Sequence, residues 1–328
     1  GYCAFYSVAG ATDHTLDRYT AALAVEAQLH EVVGGCKTIY LGGGTPSLLG
    51  PDRLRRTLGA VGKPAADAEV TLEVNPETVR AADFGALREA GVNRLSIGVQ
   101  SFNDEALAFL GRVHDSARAT ATVAAAVSHG FRVSIDLIYG HPGQEEDDWR
   151  RELDLAAGLD VEHLSAYELT WEPNTPLGRK YGGNQDDRSE LFFATHQHLA
   201  TFGFEGYEVS SFARTPEARS RHNLATWAHR PYLGLGPGAH SLLGTGKTAT
   251  RRWNEPDLEG WVDALELGTA PQRGREKLGA QQLLLERVML GLRTTAGIDL
   301  AACRNERGLD MEHTARECAH RLVTQGFL

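Results

Sequence analysis

The chain has 328 residues, of which 42% are hydrophobic and 23% are charged, and its formal net charge is −10. This composition allows a sizeable buried core and excludes global disorder. The excess of acidic residues argues against a general nucleic-acid-binding protein, because phosphate contacts require clustered Lys and Arg. A local basic pocket for an anionic ligand remains open.

Membrane and redox signals in the sequence are weak. No apolar run reaches the roughly 20 residues that a transmembrane helix needs, and no signal peptide is visible, although the native N-terminus could lie upstream. Cysteines occur at positions 3, 36, 303 and 318 without a CxxC pair. This spacing gives neither a zinc motif nor a disulfide framework. We therefore predict a reduced, cytoplasmic protein.

From about residue 36 to residue 240 the sequence alternates short β-branched runs with amphipathic helical stretches. Strands are predicted at 37–41, 69–74, 94–99, 132–138 and 162–169, with a weaker one at 207–213. Helices are predicted between them, for example at 16–33 and 117–130. This alternation predicts an α/β fold whose parallel sheet is closed or partly closed as a barrel, and a doubly wound sheet is the alternative.

The pattern becomes irregular at about residues 215–256. Helical stretches follow at 257–267, 280–293 and near 310–325. We therefore predict two domains, a barrel over 1–245 and a small, mainly helical domain over 246–328.

Polar and glycine-rich segments follow successive predicted strands. They read GGGTP, NPET, QSFND, DLIYGHPGQ and ELTWEPNT. Function in parallel α/β folds resides at the carboxyl ends of the strands. Each segment alone has an ordinary structural explanation, but their recurrence at one end of successive strands predicts a single site.

Two of these segments and their strands suggest ligand contacts. The glycines of YLGGGTPSLL, with Gly43, Gly44 and Thr45, allow a ligand to approach the backbone closely, although a tight β–α turn explains them equally well. The segment is neither a P-loop nor a GxGxxG motif. Glu73 and Asp136 lie inside apolar strands. A buried carboxylate requires either an internal partner or a ligand.

The remaining candidates are ambiguous in isolation. Gln100 ends a strand and is as consistent with a satisfied amide as with a ligand contact. Arg112 has the local context of an ordinary surface arginine. His222 in RHNLATW and His240 in GLGPGAHS are single histidines, which are more often structural than ligating.

Taken together, the motifs resemble one known family. YCAFYS, YLGGGTPSLL, LEVNPET, RLSIGVQSF, LGRVH, IDLIYGHPGQ, LSAYELTWEPNT, RHNLATW and GLGPGAHS resemble, in this order, the HemW-type heme chaperones. These are radical S-adenosylmethionine (SAM) proteins similar to oxygen-independent coproporphyrinogen III oxidase. The resemblance covers nearly the whole chain and implies a partial (β/α)6 barrel with a small helical C-terminal domain that ends early here.

The resemblance also implies an iron–sulfur cluster. The family motif CxxxCxxC supplies three thiolates to a [4Fe–4S] cluster, whose fourth iron is left for the amino and carboxylate groups of SAM. YCAF matches the end of that motif, so Cys3 would be the third ligand and Tyr2 would pack on the cofactor. The first two cysteines and the first barrel strand would then precede Gly1.

Further site residues follow from the same resemblance. Gly43, Gly44 and Thr45 would contact the methionine part of SAM, and Glu73 would bind its ribose. Gln100, Arg112 and Asp136 would complete the pocket. RHNLATW resembles the HNxxYW signature linked to heme binding, with Thr226 at the usual Tyr position, and makes His222 a candidate for heme contact.

The resemblance leaves the activity open between two classes. One is a chaperone that binds the cluster, SAM and heme and delivers heme to acceptor hemoproteins. The other is an oxidase that decarboxylates coproporphyrinogen III in porphyrin biosynthesis. A plain barrel with fortuitous loops is the third interpretation, which the ordered motifs disfavour. The resemblance implies no nucleic acid and no membrane span, and it leaves peripheral membrane contact open.

Overall fold

The computed structural model describes residue 8, residues 10–32, 34–182 and 188–299, and residues 317, 320, 321 and 324. Its helices are α1 (Asp13–Leu29), α2 (Gly50–Ala60), α3 (Asp83–Glu89), α4 (Asp104–Leu110), α5 (Ser116–Ser128), α6 (Glu146–Ala157), α7 (Pro176–Tyr181), α8 (Ser189–Thr201), α9 (Arg221–Trp227), α10 (Leu258–Glu266) and α11 (Ala280–Gly291). Its strands are β1 (Thr38–Leu41), β2 (Glu69–Val74), β3 (Arg94–Gln100), β4 (Arg132–Tyr139), β5 (His163–Glu168), β6 (Glu205–Gly206), β7 (Ser211–Ala213), β8 (His240–Leu243), β9 (Thr250–Asn254) and β10 (Gln272–Lys277). The helix predicted near 310–325 lies almost wholly outside the described residues.

The main sheet contains seven strands in the order β1-β2-β3-β4-β5-β7-β6. Strands β1 to β5 are parallel to one another, whereas β7 is antiparallel to both β5 and β6. Among the described residues, β1 and β6 are the edge strands, and the sheet that these residues form is open. The predicted class, an α/β fold with a partial barrel, is confirmed. Of the weaker strand predicted at 207–213, only Ser211–Ala213 forms a strand, β7, and the short strand β6 precedes the predicted range.

The two faces of the main sheet differ in polarity because successive side chains of a strand point to opposite faces. One face carries fully buried apolar side chains such as Leu72, Leu95 and Ile135, which pack in one core with helix residues such as Leu54 and Trp149. The other face carries polar side chains along β1 to β5. They are Thr38, Tyr40, Glu69, Thr71, Glu73, Arg94, Ser96, Ser134, Asp136, His163 and Ser165. We call this surface the polar face.

A second, three-stranded antiparallel sheet with the order β10-β9-β8 follows the main sheet. The sequence analysis did not predict it. The α10 helix of this region packs on α1, where Leu23, Trp261 and Leu265 are buried together. The predicted domain boundary after residue 245 falls between β8 and β9, which pair with each other. The division into two domains stays a prediction.

A buried carboxylate connects α1 to the second sheet. Glu26 is fully buried, and its Oε2 accepts a hydrogen bond from the Gly236 amide at 2.8 Å. Its Oε1 accepts another from Asn254 Nδ2 at 2.6 Å. Burial raises the pKa of Glu26. The glycine-rich segment GLGPGAHS is thus held against α1, whereas its His240 is exposed and stacks on Trp253 at a centroid distance of 6.0 Å.

Within the described ranges, no helix has both the length and the apolar character needed to cross a membrane.

Candidate functional site

The glycine segment that follows β1 exposes its backbone at the carboxyl edge of the sheet. A Cβ at Gly42 would lie 2.5 Å from the Tyr40 ring and 2.7 Å from Glu73 Oε1, so only glycine fits there. Gly43 has a φ of +107°, and a Cβ at Gly43 or Gly44 would meet no atom within 4 Å. Both residues are exposed. Their peptide groups are therefore open to a ligand, apart from the Gly43 N–H, which donates to Glu73.

Glu73 lies beside this segment in a fixed orientation. Its Oε2 accepts a hydrogen bond from the Gly43 amide at 3.0 Å, and its Oε1 accepts one from the Tyr40 hydroxyl at 2.7 Å. Burial and the Glu73 charge raise the pKa of Tyr40, so the phenol stays protonated and donates. Each carboxylate oxygen keeps a free lone pair. Glu73 can therefore accept hydrogen bonds from the hydroxyl groups of a ligand.

An amide network joins the ends of β1, β2 and β3. Asn75 Nδ2 donates to Thr45 Oγ1 at 3.3 Å, and Asn75 Oδ1 accepts from Arg112 Nη1 at 3.1 Å. Gln100 has a φ of +69°, in the left-handed region that non-glycine residues rarely adopt. A Cβ at Gly98 would lie 2.6 Å from Gln100 Nε2 and 3.0 Å from Asn75 Oδ1. Gln100, Arg112 and Thr45 therefore meet around Asn75.

Asp136 lies in the middle of the polar face. Its Oδ2 accepts a hydrogen bond from Ser96 Oγ at 2.8 Å. Burial raises its pKa to about 7; hydrogen bonds from Ser96 and Ser165 oppose the rise, and the Glu73 charge adds to it. Asp136 therefore exchanges its proton near neutral pH, unlike an ordinary aspartate.

His222 lies on α9 with its ring against the polar face. The imidazole stacks on Tyr40 with a centroid distance of 4.6 Å and an interplanar angle of 22°, and its Nδ1 lies 3.5 Å from Thr38 Oγ1. Burial lowers its pKa, so the ring is neutral at physiological pH. In the part of the chain that the structure describes, no hydrogen bond to Nε2 is formed. In the tautomer whose Nδ1 donates to Thr38 Oγ1, the lone pair of Nε2 is therefore available.

A buried ion pair at the amino end of the polar face fixes the start of α9. Glu69 Oε2 accepts a hydrogen bond from the Arg221 amide at 3.2 Å, and Oε1 accepts one from the His222 amide at 3.0 Å. Arg94 Nη1 lies 3.4 Å from Glu69 Oε2 and donates to the Ala218 carbonyl at 3.0 Å. We call Glu69 and Arg94 the α9 clamp.

A second buried chain of hydrogen bonds supports the same segment. Tyr207 accepts a hydrogen bond from the Ser220 amide at 3.1 Å, and its hydroxyl lies 2.8 Å from His163 Nε2. His163 Nδ1 lies 2.6 Å from Ser134 Oγ. Burial holds the pKa of His163 well below its usual range, so this imidazole is neutral. The segment that leads into α9 is thus anchored to β4 and β5 as well as to β2 and β3.

The structure brings most of the predicted site residues to one region. Gly43, Gly44, Thr45, Glu73, Gln100, Arg112 and Asp136 lie on or beside the carboxyl half of the polar face, and His222 reaches it through Tyr40. His240 lies on the second sheet instead. Tyr2 and Cys3 fall outside the described residues, so their assigned roles stay predictions.

Sequence reasoning missed Tyr40 and Asn75 as site residues. Tyr40 lies inside an apolar-looking strand, and Asn75 begins a segment, NPET, that is typical of a turn. The period of two along a strand was the available signal. Asn75 lies two residues after Glu73, a predicted site residue, and therefore points to the same side of the sheet.

The residue types fit SAM. An exposed glycine backbone, a carboxylate with free lone pairs, amides and one arginine complement the amino, carboxylate and ribose hydroxyl groups of that molecule. Within the described ranges no group of three or more His, Cys, Asp or Glu side chains is arranged to bind a metal, and Cys36 is a free, half-buried thiol.

Family profiles match both ends of the chain. The radical SAM superfamily matches residues 1–156, and the HemN C-terminal domain matches residues 278–328. The second match begins at the end of β10 and includes α11.

Full-length relatives and one solved structure agree with these matches. The chain is 39% identical to the heme chaperone HemW of Mycobacterium tuberculosis over 92% of this chain and 80% of that protein. It is 34% identical to the heme chaperone HemW of Bacillus subtilis over 89% of this chain and 79% of that protein. Coproporphyrinogen III oxidase (HemN) from Escherichia coli, a radical SAM enzyme, shares the fold at a TM-score of 0.78 with 23% identity, over 92% of this chain and 74% of that one. The chain therefore belongs to the HemW family of radical SAM proteins.

Proposed function

We propose that this protein is a heme chaperone that binds a [4Fe–4S] cluster, SAM and heme and delivers heme to acceptor hemoproteins. Its HemW relatives carry that name. One observation in the structure carries the proposal. The neutral imidazole of His222, with Nε2 unpartnered among the described residues, is held beside the residues that fit SAM. A neutral imidazole nitrogen is a common axial ligand of heme iron.

The SAM-binding residues divide by the group that each would contact. Gly43, Gly44 and Thr45 would bind the methionine part through the exposed backbone, and Glu73 would accept hydrogen bonds from the ribose hydroxyls. Gln100, Arg112 and Asp136 would complete the pocket, with Asp136 able to hold a proton near neutral pH. Cys3 would ligate the cluster beside Tyr2. When bound, the cluster and SAM supply one-electron chemistry, while the sheet binds and orients them.

For heme, the chain supplies an imidazole in a fixed place. The α9 clamp holds the backbone of His222, and Tyr40 holds its ring. A prepositioned ligand loses less conformational entropy on binding than a mobile one. Residues 246–328 are proposed as a second domain that covers the site or contacts the acceptor.

Heme titration tests the proposal directly. Protein with a reconstituted cluster is titrated with hemin, and the bound heme is then offered to an apo-hemoprotein. We expect tight binding and transfer. His222→Ala should shift the Soret band and weaken binding. His240→Ala is the matched control, because that histidine is exposed on the second sheet. An unchanged His222→Ala spectrum would remove His222 as the heme ligand.

A turnover assay tests the oxidase alternative. The same protein is incubated with coproporphyrinogen III, SAM and a reductant, and the porphyrin products are separated. The chaperone proposal predicts no protoporphyrinogen IX. Sustained conversion would replace it with the oxidase function.

A further inference from the structure

Tyr40 lies between the proposed heme ligand and the proposed ribose-binding carboxylate. Its ring stacks on the His222 imidazole at 4.6 Å, and its hydroxyl donates to Glu73 Oε1 at 2.7 Å. Both contacts use the same side chain in β1. Among the described residues, no other side chain is joined to both His222 and Glu73 by hydrogen bonds or ring stacking.

A second acidic side chain lies near Glu73. The charge of Glu73 adds to the raised pKa of Asp136, so the ionised forms of the two side chains repel each other. The Gly43 amide holds one oxygen of Glu73, and Tyr40 holds the other. Without the phenol, only one hydrogen bond would oppose rotation of the carboxylate away from Asp136.

The imidazole in turn fixes the phenol. The α9 clamp sets the backbone of His222, so its ring presents a fixed surface to Tyr40. The Tyr40 ring also lies close to Gly42, where a Cβ would approach it to 2.5 Å. The imidazole and the segment at Gly42 thus both restrict the position of the ring.

We propose that Tyr40 is a positioning residue through which His222 orients Glu73 for the ribose of SAM. His222 then has a role in SAM binding that is separate from heme ligation. This inference rests on the assignment of Glu73 to the ribose under the proposed function. It predicts that changes at His222 alter SAM affinity in protein that contains no heme.

A variant series measured by equilibrium dialysis with SAM tests this role. The protein has a reconstituted cluster and no heme. Tyr40→Phe keeps the stacked ring and removes the hydroxyl, so the SAM Kd should rise about tenfold, as for loss of a hydrogen bond to a charged group. His222→Ala should raise the Kd about three- to fivefold by removing the stack. His222→Phe restores a stacked ring and should recover most of that loss.

The double variant separates one pathway from two. If His222 acts through Tyr40, the effects of the two substitutions should not add, because the residues are coupled. The SAM Kd of the double variant Tyr40→Phe with His222→Ala should then lie within about twofold of the Kd of Tyr40→Phe alone. Wild-type SAM affinity in Tyr40→Phe would overturn the proposal. Equal losses in His222→Ala and His222→Phe, or full additivity in the double variant, would also overturn it.

Two controls separate failure of this inference from failure of the proposed function. Glu73→Gln should abolish most SAM binding, and its failure to do so would remove the ribose assignment and the inference together. Heme titration of His222→Phe reports the heme site alone. Loss of its heme spectrum with retained SAM affinity supports both roles of His222, whereas unchanged heme binding counts only against heme ligation.

Discussion

Each end of the polar face carries a glutamate of β2, and the two glutamates lie in different environments. At the amino end, Glu69 and Arg94 are each 2% exposed, and Glu69 accepts hydrogen bonds from two amides at the start of α9. At the carboxyl end, Glu73 and Asp136 are half-buried beside an exposed glycine segment. The first pair is enclosed by the protein, and the second faces the space that a ligand would enter.

The burial and hydrogen-bond partners of a carboxylate indicate whether its role is structural or ligand-binding, and its residue type alone does not. A buried charge is tolerated when protein groups satisfy it, and removal of one partner leaves the other uncompensated. A half-buried carboxylate with spare lone pairs can instead accept hydrogen bonds from a ligand. The two ends should therefore respond in opposite ways to the same substitution.

The largest expected effect is on stability at the amino end. Glu69→Gln removes the charge that faces Arg94, whose side chain is 3% exposed. We expect the free energy of unfolding to fall by about 3 kcal/mol, as for a broken buried ion pair. Chemical denaturation of the cofactor-free protein measures this change. A loss below about 1 kcal/mol would show that the pair does not hold the α9 segment.

The matching substitution at the carboxyl end should affect SAM and not the fold. Glu73→Gln should raise the SAM Kd at least about tenfold, because ribose hydroxyls lose a charged acceptor. Its free energy of unfolding should change by less than about 1 kcal/mol, since Glu73 is only half-buried and Tyr40 and Gly43 can bond to water. Isothermal titration and denaturation of the same preparation give both values. A stability loss equal to that of Glu69→Gln would erase the contrast.

Asp136, at the carboxyl end, should make the stability of the fold depend on pH. Its carboxyl group ionises near 3.8 in the unfolded chain and near 7 in the folded one, chiefly because of burial. Between these pH values unfolding releases a proton, so a rise in pH across this range destabilises the fold. Asp136→Asn should flatten that decline in thermal stability. An identical pH profile in the variant would show that Asp136 ionises normally.

Features that depend on neighbouring residues in the chain could be predicted from the sequence, whereas contacts between distant residues could not. The five parallel strands and Glu73 follow from hydrophobic periodicity and from a charge inside an apolar run. The α9 clamp does not, because Glu69 bonds to the amide of His222, which is 153 residues away in the chain. Nothing near Glu69 in the sequence indicates that partner.

The second sheet was missed for a different reason. Strand β10 reads QRGREK, and all six of its residues are exposed or half-buried. Such a strand lacks the alternation of apolar residues by which strands are recognised in a sequence. Backbone pairing with β9, and not an apolar pattern of its own, holds β10 as a strand.

The smallest effect expected concerns two glycines that differ only in their surroundings. Gly98→Ala places a methyl group 2.6 Å from Gln100 Nε2 and 3.0 Å from Asn75 Oδ1, so the amide network must shift. We expect the SAM Kd to rise about threefold, a loss of under 1 kcal/mol. Gly85→Ala on α3 meets no atom within 4 Å and should stabilise the protein by about 0.5–1 kcal/mol without changing SAM affinity. Both variants add the same methyl group, so the second is a control for the first. Weaker SAM binding in Gly98→Ala alone would place the effect in the amide network. Equal SAM affinities in the two variants would exclude that network from the site.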